Sequence, residues 1–163
     1  MKMLIIALFA MTFAIGCFAG KALAAKSKNK MEFTGEGAFP KGERNDAYAQ
    51  YFTGTSYLQP LSREGVAISN VTFEPGCRNF WHIHHQGGQI LLVTEGRGWY
   101  QEWGKSAQQL KPGDVVNIPA GVKHWHGAAK NSWFAHLAVA VPAEGASNEW
   151  LEEVSDEEYN KIK

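Results

Sequence analysis

A chain of 163 residues carrying 16 basic and 16 acidic side chains has a formal net charge of zero, and its length suits one domain with a proper hydrophobic core. No basic stripe or arginine cluster breaks that balance, which argues against nucleic acid as a partner. Of its two cysteines, Cys17 falls in an N-terminal leader and Cys77 in the body, so no intramolecular disulfide forms and the core must hold the fold.

Residues 1–24 read as an export signal. Lys2 gives a short positive start, Leu4 to Ile15 is uncharged and apolar, and Ala22-Leu23-Ala24 fits the small-residue rule for cleavage before Ala25. The apolar run is short for a membrane span, so none is expected in the mature protein. Ala14-Ile15-Gly16-Cys17 also resembles a bacterial lipoprotein box, which keeps a lipid anchor at Cys17 as the alternative to a cleaved signal. Either route puts the mature domain outside the cytoplasm, periplasmic or secreted. Cleavage before Ala25 removes Lys2 and Lys21 and leaves fourteen basic against sixteen acidic residues.

Residues 25–60 are expected to form a lead-in and arm. Positions 25–47 are rich in Lys, Gly and Asn with little periodicity. Tyr48-Ala49-Gln50-Tyr51-Phe52 is an aromatic patch able to lay a strand or arm against the core or a neighbouring subunit. Over 61–142 short alternating runs alternate with turn signals. Strands are expected at Val66–Phe73, Phe80–His84, Gln89–Thr94, Trp99–Trp103, Val115–Ile118, His124–His126 and Trp133–Val141. Glu74-Pro75-Gly76, His85-Gln86-Gly87-Gly88, Gly104-Lys105 and Pro119-Ala120-Gly121 supply turns. No βαβ alternation and no internal repeat is present, which indicates an all-β sandwich or barrel. Residues 143–163 form a tail that reads helical from Glu149, where Ser155-x-x-Glu158 is a capping-box pattern with Lys161 and Lys163 at the far end.

All six histidines fall between positions 82 and 136. Strand side chains alternate faces, so His82 and His84 project to one side, and so do His124 and His126. Such a pair can chelate a metal, and Gln89 enters the following strand close to the first pair. His85 lies in the turn and is expected to face solvent. His136 sits in Phe134-Ala135-His136-Leu137-Ala138, an apolar run where an imidazole is costly without a partner. Cys77, beside a strand, reads as a small buried hydrophobe with no catalytic role.

Two spacings then carry a resemblance. Gly76-x5-His82-x-His84-x4-Gln89-x6-Gly96 is similar to the first cupin motif, and Gly113-x5-Pro119-x-Gly121-x2-His124 to the second. The family pattern continues x3-Asn, where Ala128 stands here. The resemblance implies a single jelly-roll barrel, a double-stranded β-helix, with a short C-terminal helix. It also implies a metal held by His82, His84, Gln89 and His124.

Most cupins have Glu at the position of Gln89. One reading is a decayed site without metal. The other is a neutral amide ligand, as in the small bacterial cupins resembling manganese-dependent hydroxynitrile lyases, and stretches such as Lys123-His124-Trp125-His126-Gly127-Ala128-Ala129 and His136-Leu137-Ala138 are similar to that subgroup. The resemblance favours Mn with Fe second, while Zn and Ni also suit imidazole with an amide oxygen. His126, two residues after His124, is the candidate acid/base, and His136 is the next through its match to the lyase-like subgroup.

The expected function is therefore an exported Lewis-acid metalloenzyme of lyase type acting on a small hydroxy or carbonyl compound. The alternatives are a dioxygenase cleaving C–C bonds and a non-catalytic small-molecule or metal-binding cupin. Homo-oligomers are usual in such a family. The aromatic arm and the C-terminal helix are the candidate interface elements.

Overall fold

Along Val115–Ile118 the exposure alternates residue by residue, with Val116 and Ile118 buried and Val115 and Asn117 open to solvent. Strands of this kind pair into two antiparallel sheets around one interior. The computed structural model describes Phe33 and residues 37–162, and the expected leader lies outside the described residues.

In chain order the first strands are β1 (Glu43–Arg44), β2 (Phe52–Thr53), β3 (Ser56–Ser62), β4 (Ile68–Phe73), β5 (Arg78–Asn79), β6 (His82–His85) and β7 (Gln89–Gly96). There follow β8 (Gly98–Glu102), β9 (Gln108–Leu110), β10 (Val115–Ile118), β11 (His124–Ala128), β12 (Phe134–Ala140), β13 (Ser147–Trp150) and the helix α1 (Asp156–Lys161). One sheet runs β1-β3-β4-β12-β7-β10, and the other runs β13-β6-β11-β5-β2, with β8 on β11 and β9 on β8. The expected all-β barrel with a short C-terminal helix is therefore the observed fold.

The interior at one end is apolar. Val71, Phe73, Leu91, Val93, Tyr100, Leu110, Val116, Ile118 and Phe134 form one buried cluster, and Cys77 belongs to it as a buried hydrophobe. Burial pushes the Cys77 thiol up to about 12, so no thiolate is available there. A second cluster lies on the far side of β11, where Trp81, Trp125, Val154 and Tyr159 pack together beneath α1. Arg78 fastens this C-terminal segment. Its guanidinium donates to the Val154 carbonyl at 3.0 and 2.9 Å and to Asp156 at 2.7 Å, and it lies over the Tyr159 ring. Residues on β11 thus have both faces covered, and all five are buried.

Three elements differ from the sequence expectation. Ser56–Ser62, inside the expected arm, is a full barrel strand paired with β4; Pro60 hides it from a pattern reading, and the register shifts between Pro60 and Ser62. Tyr48–Tyr51 lies in a 3-10 turn spanning Asp46–Tyr51, with Phe52 alone of the aromatic patch in a strand. Glu149 and Trp150 belong to a strand rather than a helix, because β13 pairs with β6 and covers its edge. The helix begins at Asp156, where Ser155 and Glu158 make the reciprocal capping box that their spacing implied.

The turn between β6 and β7 decides where the first histidine pair meets its neighbours. Gly88 has φ +88°, and a Cβ on Gly87 would stand 1.9 Å from the Val141 carbonyl oxygen, so the chain turns back only with glycine at both places. The Gly121 N–H donates to the His84 carbonyl at 2.8 Å, tying the second histidine-bearing segment to the first.

Candidate metal centre

His82 and His124 are direct partners across β6 and β11, which is why their rings approach to 4.1 Å between centroids. His84, two residues along β6, has its ring 5.1 Å from His82 and 5.2 Å from His124. Gln89 opens β7 on the other side of the glycine turn, with its side chain beside the His84 ring. All three imidazoles are buried.

Each of these three rings has its Nδ1 committed to an oxygen acceptor. His82 Nδ1 donates to the Phe80 carbonyl at 2.9 Å, His124 Nδ1 to the Val122 carbonyl at 2.9 Å, and His84 Nδ1 to Asn148 Oδ1 at 2.6 Å. A neutral imidazole that donates through Nδ1 keeps a lone pair on Nε2. His84 Nε2, His124 Nε2 and Gln89 Oε1 are buried with no hydrogen-bond partner. Orphaned acceptors on facing strands, each ring oriented by a second hydrogen bond, are the pattern of a metal-ligand set. These residues fit a divalent ion with imidazole and amide-oxygen donors.

Proximity alone groups a different trio. The ring nitrogens of His82, His124 and His126 lie within 4.8 Å of one another. His126, however, is already engaged. Asn79 accepts from the His126 backbone N–H at 2.9 Å, which turns its amide NH2 toward the ring, 3.1 Å from Nε2. His126 Nδ1 stands 3.2 Å from His136 Nε2. His84 and Gln89 carry the unpartnered atoms, so the set with Gln89 matches the orphaned donors better than the trio does.

A cavity of about 330 Å³ opens onto this cluster, bordered by His82, His84, Gln89 and His126 with Tyr48, Phe52, Leu58 and Trp150 as apolar wall. No Asp, Glu, Lys or Arg is among the described residues lining it. Trp150 lies 4.7 Å from the His82 ring and stacks on Tyr51. His136 does not reach the cavity. It sits behind His126 on β12, fully buried, and this is the partner that its apolar context required. A bulge between Ala135 and His136 shifts the register there. His85, expected in the turn, is the last residue of β6; it faces outward and pairs with Glu149 at 2.8 Å.

Asn79, Asn148 and Trp150 escaped the sequence reading. Asn148 and Trp150 share a face of β13 by the same period of two as the histidines, but nothing local says that this strand joins β6. Its register does so, pairing Asn148 with His84 and Trp150 with His82.

Burial holds every interior imidazole below its ordinary value, His124 and His136 at about 4 and His82 and His126 well below 6.5, with neighbouring imidazoles adding to the effect. The native state thus binds fewer protons than the unfolded chain between about pH 6.5 and 4, and stability rises with pH there. The metal-free protein should therefore lose stability as pH falls through that window. Denaturant midpoints at pH 7.5, 5.5 and 4.5 test this; a flat profile would mean that the imidazoles are not buried neutral.

Residues 69–139 match the cupin domain family. The chain is 44% identical over 117 residues to a protein from Granulicella tundricola named (R)-mandelonitrile lyase, covering 69% of this chain and 88% of the relative. It is 30% identical over 122 residues to a probable germin-like protein of Arabidopsis thaliana, covering 68% of this chain and 57% of that one. Among solved structures, a cupin-like protein from Thermotoga maritima superimposes with a TM-score of 0.72 at 41% identity, covering 77% of this chain and 96% of that one.

Proposed function

The chain belongs to the cupin superfamily, and from that membership we propose a metal-dependent lyase that cleaves and forms cyanohydrins of a small carbonyl compound. The observation that carries it is that His84 Nε2, His124 Nε2 and Gln89 Oε1 are buried and unpartnered in a cluster with His82, of which His82, His84 and Gln89 line the cavity. His82, His84, Gln89 and His124 are the ligands in this reading, with Mn2+ the preferred ion and Fe2+ second. When bound, the ion would supply Lewis-acid charge at the substrate oxygen. A neutral glutamine, where most cupins carry glutamate, would leave that charge undiminished.

The protein's own groups do the rest. The uncharged lining and the aromatic wall of Tyr48, Phe52 and Trp150 accept a neutral, partly apolar substrate and exclude water. His126, kept neutral by burial and bordering the cavity, is the group that takes the hydroxyl proton as the bond to the nitrile carbon breaks, exchanging its contact with the Asn79 amide for the substrate, and returns it to the departing cyanide. Aldehyde and hydrogen cyanide are the products. His136, through its contact with His126 Nδ1, orients the ring and shares the transient charge. The name of the relative from Granulicella tundricola supports this chemistry.

The test is chiral analysis of product from benzaldehyde and cyanide with protein reconstituted with Mn2+ or Fe2+. One ion per chain and an excess of (R)-mandelonitrile are expected. An ion without turnover would sink the lyase and leave a binding cupin, and oxygen consumption in its place would make it a dioxygenase. His126→Phe should lower kcat by about 10²–10⁴-fold while retaining the ion. Unchanged kcat in that variant would remove His126 from the mechanism. The reading includes export through residues 1–24 and a homo-oligomer, supported by Leu92 and Val115, exposed neighbours across β7 and β10. Sedimentation of the mature protein checks the assembly.

A further inference from the structure

Two of the three candidate ligand histidines are oriented by backbone carbonyls, Phe80 for His82 and Val122 for His124. His84 alone depends on a side chain. Its Nδ1 meets Asn148 Oδ1 at 2.6 Å, the shortest of the three contacts. Asn148 lies on β13, outside the span that matches the cupin domain family, and reaches His84 because β13 pairs with β6 in the register that sets the two residues opposite each other. Among the described residues Asn148 is the acceptor of the His84 Nδ1 hydrogen bond, while Nε2 is buried without a hydrogen-bond partner.

We propose that Asn148 is the positioning residue of the metal centre: by accepting from His84 Nδ1 it holds the proton on that nitrogen and aims the Nε2 lone pair at the ion. The inference rests on the four-ligand reading above. Without this acceptor, His84 is free to rotate and to take the Nε2–H tautomer, in which the ligand atom is blocked by a proton. An oriented outer partner of this kind contributes about 10–100-fold to metal affinity. Asn148 is exposed to solvent on its outer side, so water competes for the bond and the lower part of that range applies.

The proposal predicts a specific order among variants. Asn148→Leu, which cannot accept, should weaken Mn2+ binding by about 10-fold or more in calorimetric titration, whereas Asn148→Asp should match or exceed the wild-type affinity, because a carboxylate accepts from Nδ1–H more strongly. Glu149→Ala serves as the control for docking of the strand, since Glu149 pairs with His85 on the opposite face, and it should bind as wild type. Long-range proton–nitrogen spectra of the metal-free proteins read the tautomer of His84 directly. Wild type and Asn148→Asp should carry the proton on Nδ1, and Asn148→Leu should move it to Nε2. Wild-type affinity and an unchanged tautomer in Asn148→Leu would overturn the proposal, as would an Asn148→Asp variant that behaves like Asn148→Leu. A wild-type protein that takes up no Mn2+ would overturn the ligand reading instead, and the tautomer spectra then decide the role of Asn148 by themselves.

Discussion

His124→Ala protein is expected to emerge without its ion and without the thermal shift that the ion confers. His124 is fully buried, stands opposite His82 across the strand pair, and has its Nε2 unpartnered. Removing it takes away a ligand rather than a ligand's support, so the loss in affinity should exceed the roughly 10–100-fold typical of outer partners, reaching about 10³-fold. With Mn2+ at 100 times the dissociation constant the wild type gains about 2.7 kcal/mol, which corresponds to roughly 5–10 °C in Tm for a domain of this size. The His124→Ala variant should gain none of it at the same concentration. Differential scanning calorimetry with and without Mn2+ measures both. A variant that still shifts by the full amount would show that the ion, if bound, sits elsewhere, with His82, His126 and their neighbours the next place to look.

Trp125→Ala should be the most damaging single change to stability. Its indole is fully buried, donates to Gln101 Oε1 at 2.9 Å and packs edge-on against Tyr159. It fills the cluster with Trp81 and Val154 that holds the C-terminal segment onto β11. Deleting it removes a large apolar area and leaves a cavity that rigid strands cannot close, a loss of about 3–5 kcal/mol, or roughly 10–15 °C in Tm. Because Trp125 packs in the cluster with Trp81, Val154 and Tyr159, on the opposite face of β11 from His124 and His126, the variant should still bind its ion below the lowered transition. Melting within a few degrees of wild type would sink this account of how the tail is fastened.

The two variants sit one residue apart, and the difference between them is the pleat of β11. That alternation was legible beforehand, because side chains two apart on a strand share a face whatever surrounds the strand. The pairs His82/His84 and His124/His126, the glycine turn before Gln89 and the capping box at Ser155 were readable for the same reason: each depends on residues near one another in the chain. The motif spacings added that the two pairs converge.

Asn148 and Trp150 were not readable. Their segment, Ser147-Asn148-Glu149-Trp150, has a helix-like charged context after it and no long apolar run, and it becomes a strand only because β6 offers an unpaired edge. Likewise Ser56–Ser62, which contains Pro60 and overlaps the expected arm, is a strand that β1 and β4 enclose. The sequence by itself determined the barrel class, the glycine turns and the capping box at Ser155, and it put His82 with His84 and His124 with His126 on shared strand faces. The tertiary structure decided which nitrogens are left unpartnered, that His136 stands behind His126 rather than in the cavity, and that the tail supplies the third imidazole's acceptor. The reason is physical: local alternation is a property of the backbone itself, whereas edge pairing and burial depend on which distant surface remains to be covered when the two sheets close.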